Sequence, residues 1–249
     1  MITQVTPQTR QAFLAVLQKS PIYIGACMGC NYQVYKDFPQ SMQFFIVDAD
    51  CVLQIKGKSA FLCGTPQDET ELAAFLSFCG ADDLKSDGYI PQGWSQAFLL
   101  YNMQYSGEQP QISCKAQIEI EQATNLTDVM EMLRDEAFTG EKLDNFYADA
   151  CRRKNQGFAQ IWAARQKGKL VATAGAYSMY QNEAYLAAVE TLPMYRAQGI
   201  ASALVAALSH HLHTQGWRVT LSCKQNRVHL YSCLGFATVN TAVAAVPKV

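Results

Sequence analysis

The chain has 249 residues, 49% hydrophobic and 16% charged, with a formal net charge of -1. Such a chain is globular and long enough to bury one large core or two smaller ones. The near-neutral balance excludes a basic nucleic-acid groove or a tail of like charge, and the longest apolar run, around residues 200–208, is far short of a membrane span. Met1-Ile2-Thr3-Gln4 lacks the basic and apolar regions of a signal peptide, so a soluble cytoplasmic protein with no nucleic-acid or membrane partner is expected. Nine cysteines in no framework spacing read as reduced thiols, several of them in the core. Cys27-Met28-Gly29-Cys30 is the only Cys-x-x-Cys, and no second pair stands at zinc spacing. His210, His211 and His213 read as a solvated helix end, so no metal site is expected.

In chain order, residues 6–18 have the pattern of a helix. Three short strands follow over 43–48, 52–56 and 60–63, then a helix over 68–78 and a strand over 96–104. The polar stretch 106–110, with Gly and Pro, is the linker candidate, which divides the chain into domains 1–110 and 115–249. Ile118-Glu119-Ile120 can supply a first strand of the second half. Asn125 is placed as an N-cap with Asp128 as its partner, ahead of Leu126, Val129, Met130, Leu133 and Ala137 at helical spacing. A second helix runs over 141–154, with Leu143, Phe146, Tyr147, Ala150 and Cys151 on one face and Gly157 ending it. Residues 158–165 and 170–179 are strands joined at Lys167-Gly168, a hairpin signal. A third strand covers 184–191, and Pro193 cannot extend a paired strand. Ala201, Leu204, Val205, Leu208 and Leu212 trace a helix to Gly216. A strand over 218–223, a helix over 226–234 closed by Gly235 and a strand over 236–246 complete the chain.

The most informative stretch is Arg196-Ala197-Gln198-Gly199-Ile200-Ala201, between the third strand and its helix. The first N–H groups of a helix have no intrahelical partner, and with the dipole they favour a bound anion. Gly199 lets the backbone approach a bulky pyrophosphate, and Arg196 adds a charge. In the N-terminal half, Gly64-Thr65-Pro66 has proline where an amide donor is wanted, so no second cofactor site is expected.

This turn, with Leu230-Tyr231-Ser232-Cys233-Leu234-Gly235-Phe236 some thirty residues later, resembles the GNAT superfamily of acyl-CoA-dependent N-acyltransferases over roughly residues 118–249. The resemblance implies an α/β (α+β) fold: a mixed central sheet flanked by helices, with a smaller N-terminal α+β domain beside it. That N-terminal domain is either a degenerate GNAT-like half or an unrelated cap. It implies acetyl-CoA as co-substrate and a small amine as acceptor. The pyrophosphate seat is then Gln198, Gly199, Ile200, Ala201 and Ser202 with Arg196 nearby, and the backbone of Val189 to Thr191 pairs with the pantetheine arm. Tyr231 matches the tyrosine that protonates the departing thiolate; a phenol's pKa lies above the thiol's. Glu190, beside the strand end, is the favoured general base. Glu183 lies at the spacing some members use, and a bulge decides whether the two share a face. The position seven before Tyr231, an Asn in many relatives, is Lys224 here, and Asn226 stands five before it. Three functions are open: an N-acetyltransferase acting on a small amine, a non-catalytic acyl-CoA binding or sensing module, and a two-domain aminoacyl or peptide-modifying transferase. The acceptor pocket falls to residues 138–155 and the N-terminal half, which shapes that pocket or a homodimer surface rather than doing chemistry.

Overall fold

The structure, a computed structural model, describes residues 1–20, 22–108, 110–134 and 141–248. The expected positions of Ala137 and Phe138 therefore lie outside the described residues. In chain order the elements are β1 (Thr3–Gln4), α1 (Arg10–Lys19), α2 (Ile24–Tyr35), β2 (Gln43–Asp48), β3 (Cys51–Lys56), β4 (Ser59–Cys63), α3 (Glu69–Phe78), β5 (Asp83–Ser86) and β6 (Trp94–Tyr105). There follow β7 (Glu119–Gln122), α4 (Leu126–Arg134), α5 (Glu141–Asn155), β8 (Gln160–Gln166), β9 (Lys169–Tyr180), β10 (Glu183–Thr191), α6 (Ile200–Thr214), β11 (Arg218–Cys223), α7 (Gln225–Ser232) and β12 (Phe236–Pro247). No helix among the described residues is long and apolar enough to cross a membrane.

The chain divides into two compact units, one of residues 1–103, 222–228 and 238–249, the other of 104–221 and 229–237. The first boundary between them in sequence falls at 103/104, and residues 222–228 and 238–249 join the first unit.

In the first unit the strand order is β1-β2-β3-β4-β5-β12-β6. β1 to β4 pair antiparallel in succession, β4 and β5 run parallel across α3, and β12 pairs antiparallel with β5. Its core packs Phe45, Leu53, Leu62, Leu72, Leu76, Leu84 and Trp94. The sequence pattern misses α2. Ten of its twelve residues are buried, so it has no polar stripe and no helical periodicity to read. β5 is missed as well, because Asp83-Leu84-Lys85-Ser86 is too short and too polar to stand out.

In the second unit the order is β7-β8-β9-β10-β11. β7 to β10 pair antiparallel, and β10 and β11 run parallel across α6. The local signals act as expected. Asn125 Oδ1 accepts from the Thr127 amide at 2.9 Å, and its Nδ2 donates to Asp128 at 3.0 Å, which starts α4. Lys167 and Gly168 both take positive φ between the paired residues Gln166 and Lys169. The core of this unit packs α4 and α5, through Leu126, Val129, Leu133, Leu143 and Ala150, on Ile161, Ala163, Leu170 and Tyr177 of the sheet.

Both units thus follow one scheme: a strand, two helices, three antiparallel strands, a helix and a parallel strand. All nine cysteines are free, and Cys27 and Cys30 are both buried in α2.

Asn102 of β6 joins the separate segments of the first unit. Fully buried, it donates through Nδ2 to Asn240 Oδ1 at 2.7 Å and accepts from Ser222 Oγ at 2.5 Å. Asn102→Ala leaves both partners unsatisfied. Urea unfolding should show a loss of about 1–3 kcal/mol, the cost of orphaning buried polar groups.

Candidate active site

β10 is held to its neighbour at one end only. Its pairing with β11 runs from Glu183↔Arg218 to Leu186↔Leu221 and stops there, while β10 continues to Thr191. At the paired end Glu183, 2% exposed, accepts from an Arg218 guanidinium N–H at 2.5 Å and from Thr220 Oγ1 at 3.1 Å. The buried Glu183 carboxylate, engaged by half-exposed Arg218 and by Thr220, thus joins the two strands.

Beyond the paired end β10 is irregular. Against β9, Ala187 pairs with Gly175 and Glu190 with Thr173, so β10 carries one extra residue between them. Ala188 there has φ of 49°, a left-handed conformation uncommon for a residue with a Cβ. A second shift lies between Tyr185↔Ser178 and Leu186↔Ala176, where Tyr177 is the extra residue of β9. Arg153 of α5, itself buried, supports that point: its guanidinium donates to the Tyr177 carbonyl at 3.1 Å and to Asp149 at 2.8 Å. Such bulges re-aim backbone groups and often stand beside active sites.

The strand end leads through a 3-10 turn, Pro193–Tyr195, into the predicted anion seat. Ala197 and Gly199 are left-handed, with φ of 59° and 84°, and Gln198 lies between them. A left-handed residue followed by a helical one turns successive N–H groups inward and makes an anion-binding concavity. Gly199 is the N-cap of α6 and supplies no side-chain cap, and α6 has no acidic residue in its first turn. The amides of Ile200, Ala201 and Ser202 donate to no backbone oxygen among the described residues. Arg196 bends back so that Nε donates to the Thr191 carbonyl at 2.9 Å, and its NH2 lies 3.9 Å from Glu190 Oε2. Strand end, arginine and amide nest are thus contiguous.

Gly199 also has a role the sequence did not show. A Cβ there would stand 2.4 Å from the carbonyl oxygen of Ser113. The segment that enters the second unit crosses the turn at this point, and the Lys115 amide donates to Gln198 O at 3.0 Å. The space beside Gly199 is filled by the chain itself, so the glycine is required for packing as well as for φ.

Tyr231 sits half-buried late in α7, with its ring 6.0 Å from that of Phe236 in an edge-on arrangement. Gly235 ends the helix at φ 83°, as expected. Lys224 places its ammonium 4.2 Å over the Phe98 ring. Thr191 is buried, and its hydroxyl has no partner among the described residues. Tyr231, Glu190, Val189, Thr191, Arg196, Gln198, Gly199, Ile200, Ala201 and Ser202 all belong to one unit. The sequence pattern missed the bulge at Ala188 and the role of Tyr177. A run of small and β-branched residues through Ala187-Ala188-Val189 carries no glycine to announce a bulge.

Residues 126–236 match the acetyltransferase (GNAT) family. No curated protein matches the chain. Among solved structures, a GNAT-family acetyltransferase from Colwellia psychrerythraea is 15% identical and aligns over 100% of both chains with a TM-score of 0.61. A GCN5-related N-acetyltransferase from Sphaerobacter thermophilus is 15% identical, covers 100% of this chain and 96% of its own, and has a TM-score of 0.64. Another, from Kribbella flavida, is 13% identical over 90% and 96% with a TM-score of 0.61. Residues 126–236 thus match the GNAT acetyltransferase family, and the mixed α/β fold is shared with GNAT structures over the whole chain.

Proposed function

We propose that the chain is an N-acetyltransferase that moves an acetyl group from acetyl-CoA to a small amine by direct attack. The observation that carries this reading is the amide nest at Ala197 to Ser202, one 3-10 turn after a bulged strand whose pairing with β11 stops at Leu186. The nest and Arg196 offer the pyrophosphate N–H donors and positive charge. The open edge of residues 187–191 offers the pantetheine arm backbone partners, and the bulge turns an amide toward the thioester oxygen.

The amine nitrogen then attacks the carbonyl carbon. A C–N bond forms, the C–S bond breaks, and negative charge collects on the carbonyl oxygen before the thiolate leaves. A backbone N–H fixed at that oxygen stabilises the charge without reorganising. Glu190, one-third exposed and 3.9 Å from Arg196, is the nearest carboxylate to the bulge in sequence and takes the amine proton, directly or through water. Tyr231 gives its proton to the departing thiolate; phenols are protonated at neutral pH.

Two measurements test this reading. Ala201→Glu adds a carboxylate to the first turn of α6. That position favours a negative charge in the free helix, so the variant should fold, but the charge competes with phosphate. Calorimetry should show acetyl-CoA binding weakened by about tenfold or more, a cost of about 1.4 kcal/mol. Unchanged affinity would remove the turn as the cofactor seat. Tyr231→Phe should keep cofactor affinity and lower the rate of thiol release by about 10²-fold, the lower range for general acid–base help. A full rate in that variant would reduce Tyr231 to packing. Tight acetyl-CoA binding with no transfer to any amine in a broad panel would instead identify a sensing module.

A further inference from the structure

The bulged end of β10 borders an apolar wall. Ala187, Ala188 and Leu192 are partly buried and pack, with Phe146 of α5, against the core of α4, α5 and the sheet. That core holds one polar atom that the fold leaves unsatisfied. Tyr177 is 8% exposed, and its hydroxyl has no hydrogen-bond partner among the described residues. Desolvation pushes the phenol well above its usual pKa, which keeps it a neutral hydroxyl able to donate and to accept.

The ring is fixed on two sides. Phe146 lies against it, with ring centroids 5.2 Å apart. Toward the sheet the ring crosses Gly175, where a Cβ would stand 2.6 Å from Tyr177 Cε2. Gly175 is the direct cross-strand partner of Ala187, the residue before left-handed Ala188. The register shift in β9, the Arg153 bond to the Tyr177 carbonyl and the glycine under the ring therefore act together to hold the phenol beside the bulge. Phenylalanine would fill the same space without the cost of a buried, unpaired hydroxyl. A buried hydroxyl without a partner in the fold is one that a ligand can satisfy.

Resting on the acyl-transfer reading above, we propose that Tyr177 is a specificity-determining residue. Its hydroxyl hydrogen-bonds the nitrogen of the acceptor. The acceptor is a primary amine with an uncharged, apolar arm, which lies against Phe146, Ala187, Ala188 and Leu192. A second ammonium on that arm would lose its water against this wall, and such acceptors are disfavoured.

The test uses the full chain, acetyl-CoA and two probe amines, 2-phenylethylamine and 1,4-diaminobutane. Wild type should acetylate 2-phenylethylamine with a KM at least about tenfold below that for 1,4-diaminobutane, a modest discrimination for one buried charge. Tyr177→Phe should raise the KM for 2-phenylethylamine about five- to tenfold, the scale of one buried hydrogen bond, with kcat within about twofold of wild type. The acetyl-CoA dissociation constant should not change, and without amine the melting temperature should be unchanged or higher. An unchanged KM, a preference for 1,4-diaminobutane, or no transfer to 2-phenylethylamine by a chain that binds acetyl-CoA would overturn the inference and leave the acyl-transfer reading standing. A variant that melts earlier and loses kcat with its KM intact would show a structural tyrosine and would also overturn it. Failure of the wild type to bind acetyl-CoA would remove both.

Discussion

The second unit depends on how β10 is held. A buried carboxylate is costly unless it is paired, and Glu183 meets that condition through Arg218 and Thr220 of the adjacent parallel strand. The pairing fixes the register of the first four residues. Past that point β10 carries an extra residue and parts from β11. Backbone N–H and C=O groups within a sheet are ordinarily all paired, because leaving them without partners costs free energy. A strand that leaves its ladder with β11 halfway along has to meet its outer backbone groups in some other way. The ion pair at one end makes it possible for the other end to stay open without the strand losing its register.

The features legible in the sequence were those with a local cause. Asn125 with Asp128, Lys167-Gly168, Gly235 and the Gln198 to Ala201 turn each follow from the φ, cap or hydrogen bond that one or two residues impose, and each stands where the pattern placed it. What could not be read had non-local causes. α2 is buried on every side, so the amphipathic signal that marks a helix is absent. The bulge at Ala188 depends on how β9 and β10 meet, with the extra residue Tyr177 on one strand answered by an extra residue on the other. The engagement of Glu183 by Arg218, thirty-five positions away, is a contact that no spacing rule reaches. Gly199 is an intermediate case. Its left-handed φ was implied by its place before a helix, while its close contact with Ser113 was not.

The same scheme of strands and helices starts its helices differently in the two units. Its parallel pair β4–β5 encloses α3 as β10–β11 encloses α6, yet the two helices begin in opposite ways. α3 is capped by Asp68, whose carboxylate accepts from the Glu71 amide at 2.8 Å, and its first turn carries Glu69 and Glu71. The orphan donors there are met from within, and the local charge repels a phosphate. α6 begins at a left-handed glycine with no side-chain cap and no acid in its first turn. Every carboxylate that stabilises α3 by satisfying its N-terminus would, at α6, occupy the place of a ligand. Glycine in place of a side-chain cap costs the helix only about a few tenths of a kcal/mol. The start of α6 also holds a left-handed alanine two residues before the glycine, a conformation that costs local stability and turns the amides of the turn outward from the helix. Within one shared topology, then, α3 meets its N-terminal donors from its own side chains and α6 does not.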